Sequence, residues 1–293
     1  LHKVAAVQYE LQPLLSVEEF WHNIEVDIQE AAHSSVDLIV FPEYLTAHLL
    51  ALEPLMTHEQ ACQYLNSFTE QYLAFFSEKS KQYQLMILAG THIHHLAGKG
   101  FINEAFLFFP DGTFHTQPKV HLTPEEQKLW QLAPGEEVEV IDTPIGRVAI
   151  LTCYDIEFPE LSRIVSELGA ELILCPSYTD TIAGYYRVRH CAQARAIENQ
   201  RFVVLSGIVG ELPHIPQIDT GYCRAGVFSP CDHPFPADGV IEIGEGEENR
   251  LVIADLQMDE LRQNWELGQV APFRDRKPEL YDRLRVNKAD SKS

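Results

Sequence analysis

Short apolar runs, each followed by a turn or an amphipathic stretch, set the rhythm of this chain. KVAAVQ (3–8), VDLIVF (36–41), LMILAGT (85–91), LILC (172–175) and FVVLSG (202–207) read as short buried strands, and VDLIVF suits a central position. Between the first two, Val17, Phe20, Trp21, Ile24, Ile28 and Ala31 recur on one face of a 3.6-residue period, and Ser16 with Glu19 forms a capping box that opens the helix. Further helices are expected from Thr57 to about Gln84, near 158–168 and around 185–199. Strands alternating with helices predict an α/β fold.

Two segments break the alternation. NEAFLFFPDGTFHTQPK (103–119) has two extended runs around Pro110, Asp111 and Gly112, so it predicts a hairpin, and 138–152 repeats the pattern around Thr143 to Gly146. Hairpins inside a βα alternation imply a mixed sheet. Past 208 the chain is looser, with Pro213, Pro216, Pro230, Pro234 and Pro236, before a strand at LVIADL (251–256) and a short helix from Asp259. IGEGEEN (243–249) reads as a solvated turn. No internal repeat and no strong linker divides the 293 residues, so a single domain over 1–293 is expected.

Composition narrows the partners. The net charge of −21, from 22 Lys plus Arg against 43 Asp plus Glu, argues against nucleic acid and polyanionic substrates, which need clustered basic side chains. No apolar run approaches the roughly 20 residues of a membrane helix. The six cysteines show no CxxC pair and no Cys/His zinc spacing, and no secretory signal is visible, so reduced thiols in the cytoplasm are expected. A chain starting at Leu1 rather than Met suggests trimming, with something upstream missing.

Three polar residues each end an apolar run: Glu43 in LIVFPEY, Lys119 in FHTQPKVHLTPEE and Cys153 in AILTCYDIEFPE. In α/β sheets ligands bind beyond the strand ends, where these reactive types could converge. Taken singly, a strand-end Glu or Lys is solvated and a strand-end Cys is packing; only the combination points to chemistry. His92, His94 and His95 lie before the turn-like LAGKG and are read as a solvated loop rather than a metal site. Cys175, Cys191, Cys223 and Cys231 are read as packing, and Arg187, Arg189 and Arg195 with Glu198 as salt-bridging along one helix.

The three motifs, in this order and with spacings of 119 − 43 = 76 and 153 − 119 = 34 residues, resemble the nitrilase superfamily of carbon-nitrogen hydrolases. Phe41-Pro42 precede the glutamate, His121-Leu122 follow the lysine at one residue's remove, and Tyr154-Asp155 follow the cysteine. The resemblance implies a four-layer α-β-β-α sandwich with two mixed sheets, and a homodimer or higher homo-oligomer. It also implies that Cys153 attacks an amide carbon, that Glu43 moves the proton, and that Lys119 with the backbone N–H of Tyr154 holds the oxyanion. Neither metal nor organic cofactor is implied.

Glu126, seven residues after Lys119, matches a second family glutamate, yet Thr123-Pro124-Glu125-Glu126 is also a capping box, so both roles stay open. Ser177 and Tyr178 fall where relatives line the substrate pocket. A small amide is the expected substrate, with an N-carbamoyl compound as alternative. A binding protein that kept the fold but lost activity is a rival, and so is a Cys-His hydrolase using His121 or His190. Some relatives carry an N-terminal acetyltransferase domain; nothing here resembles its acetyl-CoA loop, so a stand-alone hydrolase is the working expectation.

Overall fold

A computed structural model describes residues 1–53 and 55–290. The strands are β1 (His2–Leu11), β2 (Leu38–Val40), β3 (Met86–Leu96), β4 (Gly100–Phe108), β5 (Phe114–Pro118), β6 (Ile141–Thr143), β7 (Gly146–Ile150), β8 (Leu172–Pro176), β9 (Phe202–Glu211), β10 (Thr220–Gly221), β11 (Gly226–Phe228), β12 (Val240–Ile243) and β13 (Arg250–Leu256). The α-helices are α1 (Val17–His33), α2 (His58–Asn66), α3 (Thr69–Tyr83), α4 (Pro159–Glu167), α5 (Ile182–Asn199), α6 (Met258–Leu267) and α7 (Pro278–Asp290).

They form two mixed sheets. One runs β5-β4-β3-β2-β1, with β1, β2 and β3 parallel and β13 returning antiparallel onto β1. The other runs β6-β7-β8-β9-β11-β12, with β7, β8 and β9 parallel. Strand β9 joins them: Phe202 to Ser206 pair with β8, and Gly207 to Gly210 pair with β1.

Strand periodicity explains the layering. Val4, Ala6, Leu38, Val40, Met86 and Leu88 point one way and meet Val148, Ile150, Leu172, Leu174, Phe202 and Val204 of the other sheet. Their neighbours Ala5, Val7, Ile39 and Ile87 point outward and are covered by Phe20, Ile24 and Ile28 of α1 and Tyr72 and Phe76 of α3. Ala149, Ile173, Cys175, Val203 and Leu205 pack under Leu161 and Val165 of α4 and Tyr185, Val188 and Ala192 of α5. The result is a four-layer α-β-β-α sandwich, and both faces of the central strands are buried, as their unbroken apolar runs require.

The structure departs from the sequence reading in places. The stretch from Thr57 to Gln84 is two helices, because Ser67 turns its hydroxyl back onto the Tyr64 carbonyl (2.5 Å) and the chain restarts at Thr69. The histidines at 92, 94 and 95 belong to β3 and are not a solvated loop. His92 is wholly buried, bonded to the Thr46 and Thr69 hydroxyls (2.6 and 2.9 Å) and stacked on Tyr72, while His94 meets Glu104. Cys231 is exposed rather than packed.

Helix α1 buries one carboxylate, Asp27, on its apolar face, where Asn249 donates to it at 2.9 Å. Burial lifts its pKa from 3.8 to about 7, with Glu30 adding to the rise and Asn249 opposing it. The folded chain therefore holds a proton that the unfolded chain has lost, so stability from this site is full below the unfolded value and falls as pH rises through about 7. Asp27→Asn is expected to leave stability at pH near 4 almost unchanged and to raise it by roughly 1–2 kcal/mol at pH near 8, read by urea denaturation.

Candidate active site

Each of the three strand-end residues is aimed by a local backbone device. Glu43 follows β2 and Pro42, whose carbonyl accepts from Thr91 N–H at 3.3 Å. Gly90 makes that approach feasible: its φ is +61°, and a Cβ there would stand 2.1 Å from the Pro42 oxygen. Lys119 leaves β5 with its N–H on the Asn103 carbonyl (2.9 Å). Cys153 follows β7 at the start of a one-turn 3-10 helix, Cys153–Glu157, with φ at +46°. A non-glycine residue in the left-handed region is strained and persists where surrounding structure fixes it.

The three side chains meet, and a second glutamate joins them. Lys119 Nζ donates to Glu43 Oε2 at 2.8 Å and to Glu126 Oε1 at 2.6 Å, with all three groups almost wholly buried. Asn103 Nδ2 bridges the same two carboxylates, at 2.9 Å to Glu43 and 3.3 Å to Glu126. Tyr44 donates its hydroxyl to Glu126 Oε2 at 2.6 Å. The capping box is present as well: Thr123 N–H donates to Glu126 Oε1 at 3.1 Å, and Glu126 N–H donates to the Thr123 hydroxyl at 3.2 Å. One oxygen, Oε1, serves both the cap and the lysine, so the two roles read from the sequence coexist.

Charge balance follows from this geometry. Burial disfavours the Lys119 ammonium, but the carboxylates of Glu126 and Glu43 overcome it and hold its pKa well above the ordinary value. Glu126 lies below the ordinary carboxylate range, because Lys119 and the Tyr44 and Thr123 donors outweigh its burial. Glu43 goes the other way, raised to about 6 by burial, with Lys119 opposing and Glu126 adding to the rise. Burial and the nearby Glu43 charge push the Cys153 thiol far up, so it rests protonated at neutral pH.

The nucleophile's other contacts come from the exit of β8. Ser177 donates its hydroxyl to Cys153 Sγ at 3.2 Å, and the thiol lies 3.5 Å from the Tyr178 carbonyl. Tyr178 N–H donates to Glu43 Oε1 at 3.1 Å, so one residue contacts both nucleophile and carboxylate. The Tyr154 N–H lies in the first turn of the 3-10 helix, where backbone donors have no intrahelical partner.

Asp155, directly after Tyr154, ties two segments together. Its buried carboxylate accepts from the N–H groups of Val120 and His121 (3.1 and 2.7 Å) and meets His121 Nδ1 at 2.8 Å. The lysine loop is thereby fixed to the cysteine turn. Arg195 supports the same turn through the carbonyls of Ile156 and Glu157 (2.9 and 3.1 Å). His121 is occupied by Asp155 and stacked on Phe158, and it lines a different depression, while His190 is exposed on α5; the Cys-His pairing is not built.

Glu43, Lys119, Glu126, Cys153, Tyr154 and Tyr178 line one cavity of about 390 Å³. Ser177 sits behind the sulfur, in contact with the thiol rather than on the cavity wall. Gln217 brings the proline-rich stretch to the rim and bonds the Met56 carbonyl at 2.7 Å, linking it to the loop before α2. Arg187 leaves the role of helix salt bridge, lines the cavity and pairs with Glu157 at 2.9 Å. Asn103 and Tyr44 escaped the sequence reading, although an Asn beside Glu104 within an aromatic strand run and a Tyr directly after Glu43 were the available signals. Among the described residues no group of three or more His, Cys, Asp or Glu is placed to hold a metal ion.

The probable hydrolase YhcX of Bacillus subtilis is 39% identical over 281 residues, covering 95% of this chain and 54% of that relative, so the chain spans about half the relative's length. The omega-amidase of Homo sapiens is 26% identical over 265 residues, covering 87% of this chain and 88% of the relative. A crystal structure of a carbon-nitrogen hydrolase from Helicobacter pylori shares the fold with a TM-score of 0.78 at 19% identity, covering 97% of each chain. The family model for carbon-nitrogen hydrolases matches residues 3–264, nearly the whole sandwich and every strand-end residue described above, and the chain belongs to that family.

Proposed function

We infer that this chain hydrolyses a small linear amide to a carboxylic acid and ammonia through a thioester on Cys153. The observation that carries the reading is the meeting of Glu43, Lys119 and Cys153 at one cavity of about 390 Å³. As Cys153 Sγ bonds to the amide carbon, its proton passes to Glu43, which at about 6 is mostly ionised at neutral pH and is the nearest available base. The carbonyl oxygen takes up negative charge between Lys119 Nζ and the Tyr154 N–H. Glu43 then returns its proton to the departing nitrogen, the C–N bond breaks, and ammonia leaves a thioester. Water adds to the thioester carbon as Glu43 takes its proton; collapse releases the acid, and the proton goes back to sulfur.

Glu126 is a positioning residue in this scheme, because its Oε1 accepts from Lys119 Nζ at 2.6 Å and holds the ammonium beside Glu43. Ser177 donates toward the sulfur and favours the thiolate as it forms. Reading the substrate as an N-carbamoyl acid needs a free arginine for its carboxylate. Arg187 stands at the rim, but its Nε already donates to both Glu157 oxygens (2.9 and 3.0 Å), so the amide reading is preferred.

The proposal extends to one catalytic domain, a cytoplasmic setting in keeping with six free cysteines, and a homodimer. The dimer is supported by the exposed Ile164, Leu168 and Ile197 on the outer face of α4 and α5 and just beyond it, and sedimentation equilibrium would test it. A screen of amides, carbamoyl compounds and nitriles, reading ammonia and acid separately, tests the activity. Equal release of both from amides is expected; release from none of them contradicts the reading.

A further inference from the structure

The geometry points to an amide substrate with a positively charged chain, its cationic end held at the cavity mouth by Glu125 and Asp180 against the rings of Tyr178 and Trp130. This rests on the amidase reading and names the substrate class of the same cavity. Three features of the cavity carry it.

The first is uncompensated charge. Glu125 and Asp180 both line the cavity, and the imidazole of His58, 3.9 Å from Glu125, is favoured in its neutral form by burial. Among the described residues, the other cation on the wall besides Lys119 is Arg187, paired with Glu157. Glu125 is raised by burial and then by the charges of Asp180, Glu126 and Asp219. The Tyr178 phenol reports the same field, raised by burial and then by Asp219, Asp180 and Glu125. Two groups on one wall thus register the same concentration of negative charge.

The second is aromatic surface. Tyr44 and Trp130 are stacked with ring centres 5.6 Å apart, and Tyr178 stands edge-on to Tyr44 at 5.9 Å. Ring faces beside carboxylates favour an ammonium or guanidinium, through the ring quadrupole as well as the charge. The third lies deeper: Glu43, Glu126 and Lys119 together carry a net negative charge when ionised, so the cavity floor does not reverse the field of its mouth. An anionic chain would meet repulsion at both levels, and like-charge juxtaposition is an effective means of rejecting a wrong ligand.

The test compares three linear amides of matched length: δ-aminovaleramide, valeramide and glutaramate. At neutral pH and low salt, kcat/KM is expected to be about tenfold or more higher for the cation than for the neutral amide, and lowest for the anion. Added sodium chloride should shrink the cation's advantage. Glu125→Gln and Asp180→Asn should each reduce the cation-to-neutral ratio by roughly fivefold, with the loss falling on KM. Hydrolysis of valeramide with no preference for δ-aminovaleramide, or with a preference for glutaramate, overturns the charge assignment and leaves the amidase reading standing. Ammonia from none of the three overturns both.

Discussion

Replacing Lys119 by methionine is expected to remove turnover and to weaken the fold together. The ammonium lies between Glu43 and Glu126 at 2.8 and 2.6 Å, and all three groups are buried. Without it two carboxylates share a water-poor site, and one must take a proton. Glu43, already lifted to about 6 by burial, is the one that yields, because Glu126 keeps the Tyr44 and Thr123 donors. The base is then lost along with the oxyanion's cation, so kcat/KM should fall by about 10³ or more. Breaking a buried ion pair by removing one partner costs roughly 3–5 kcal/mol, which denaturant titration reads directly. Adding Glu126→Gln to Lys119→Met should recover part of that stability and none of the activity, separating the two effects.

Glu43→Gln is expected to separate them from the other side. The one amide oxygen of glutamine can keep the Lys119 and Asn103 donors, while its NH2 end faces the Tyr178 N–H and loses that bond, so the fold should lose only about 1–3 kcal/mol. It cannot take a proton, and burial keeps the Cys153 thiol protonated at neutral pH. Turnover should therefore fall by about 10² to 10⁴. The wild-type pH profile carries the same signature. The ionised carboxylate is the active form, so kcat/KM should rise with pH through about 6 and level off above it. In Glu43→Gln that acid limb should vanish from whatever activity remains. Retention of the limb in the variant would assign it to another group.

The fold and the reactive trio were legible because both are written in local pattern. Unbroken apolar runs such as VDLIVF and LILC mark strands buried on both faces, and Glu43, Lys119 and Cys153 each stand where such a run stops. The hairpin at 103–119 was legible for a related reason: Pro110, Asp111 and Gly112 form its turn, with Gly112 N–H on the Phe109 carbonyl at 2.8 Å. What escaped depends on contacts between distant segments. Asn103 matters because β4 lies where its amide reaches Glu43, sixty residues away in sequence, and Glu126 as well. Asp155 matters because the Val120 and His121 N–H groups, more than thirty residues away in sequence, lie against its carboxylate. The histidines of β3 looked solvated because polar residues before a glycine turn usually are; the Thr46 and Thr69 hydroxyls that satisfy His92 come from elsewhere in the chain. The role of β9 in both sheets had no local signal, since its run FVVLSG says only that it is buried.

The central claim is that amide cleavage passes through an acyl group on Cys153. Rapid acid quench during turnover, followed by peptide mass mapping, tests it most directly. The account predicts the substrate's acyl mass on the Cys153 peptide, removed by hydroxylamine, formed together with ammonia and absent from Cys153→Ala along with all activity. Steady release of acid and ammonia with no acyl group on Cys153, or turnover surviving in Cys153→Ala, would contradict it.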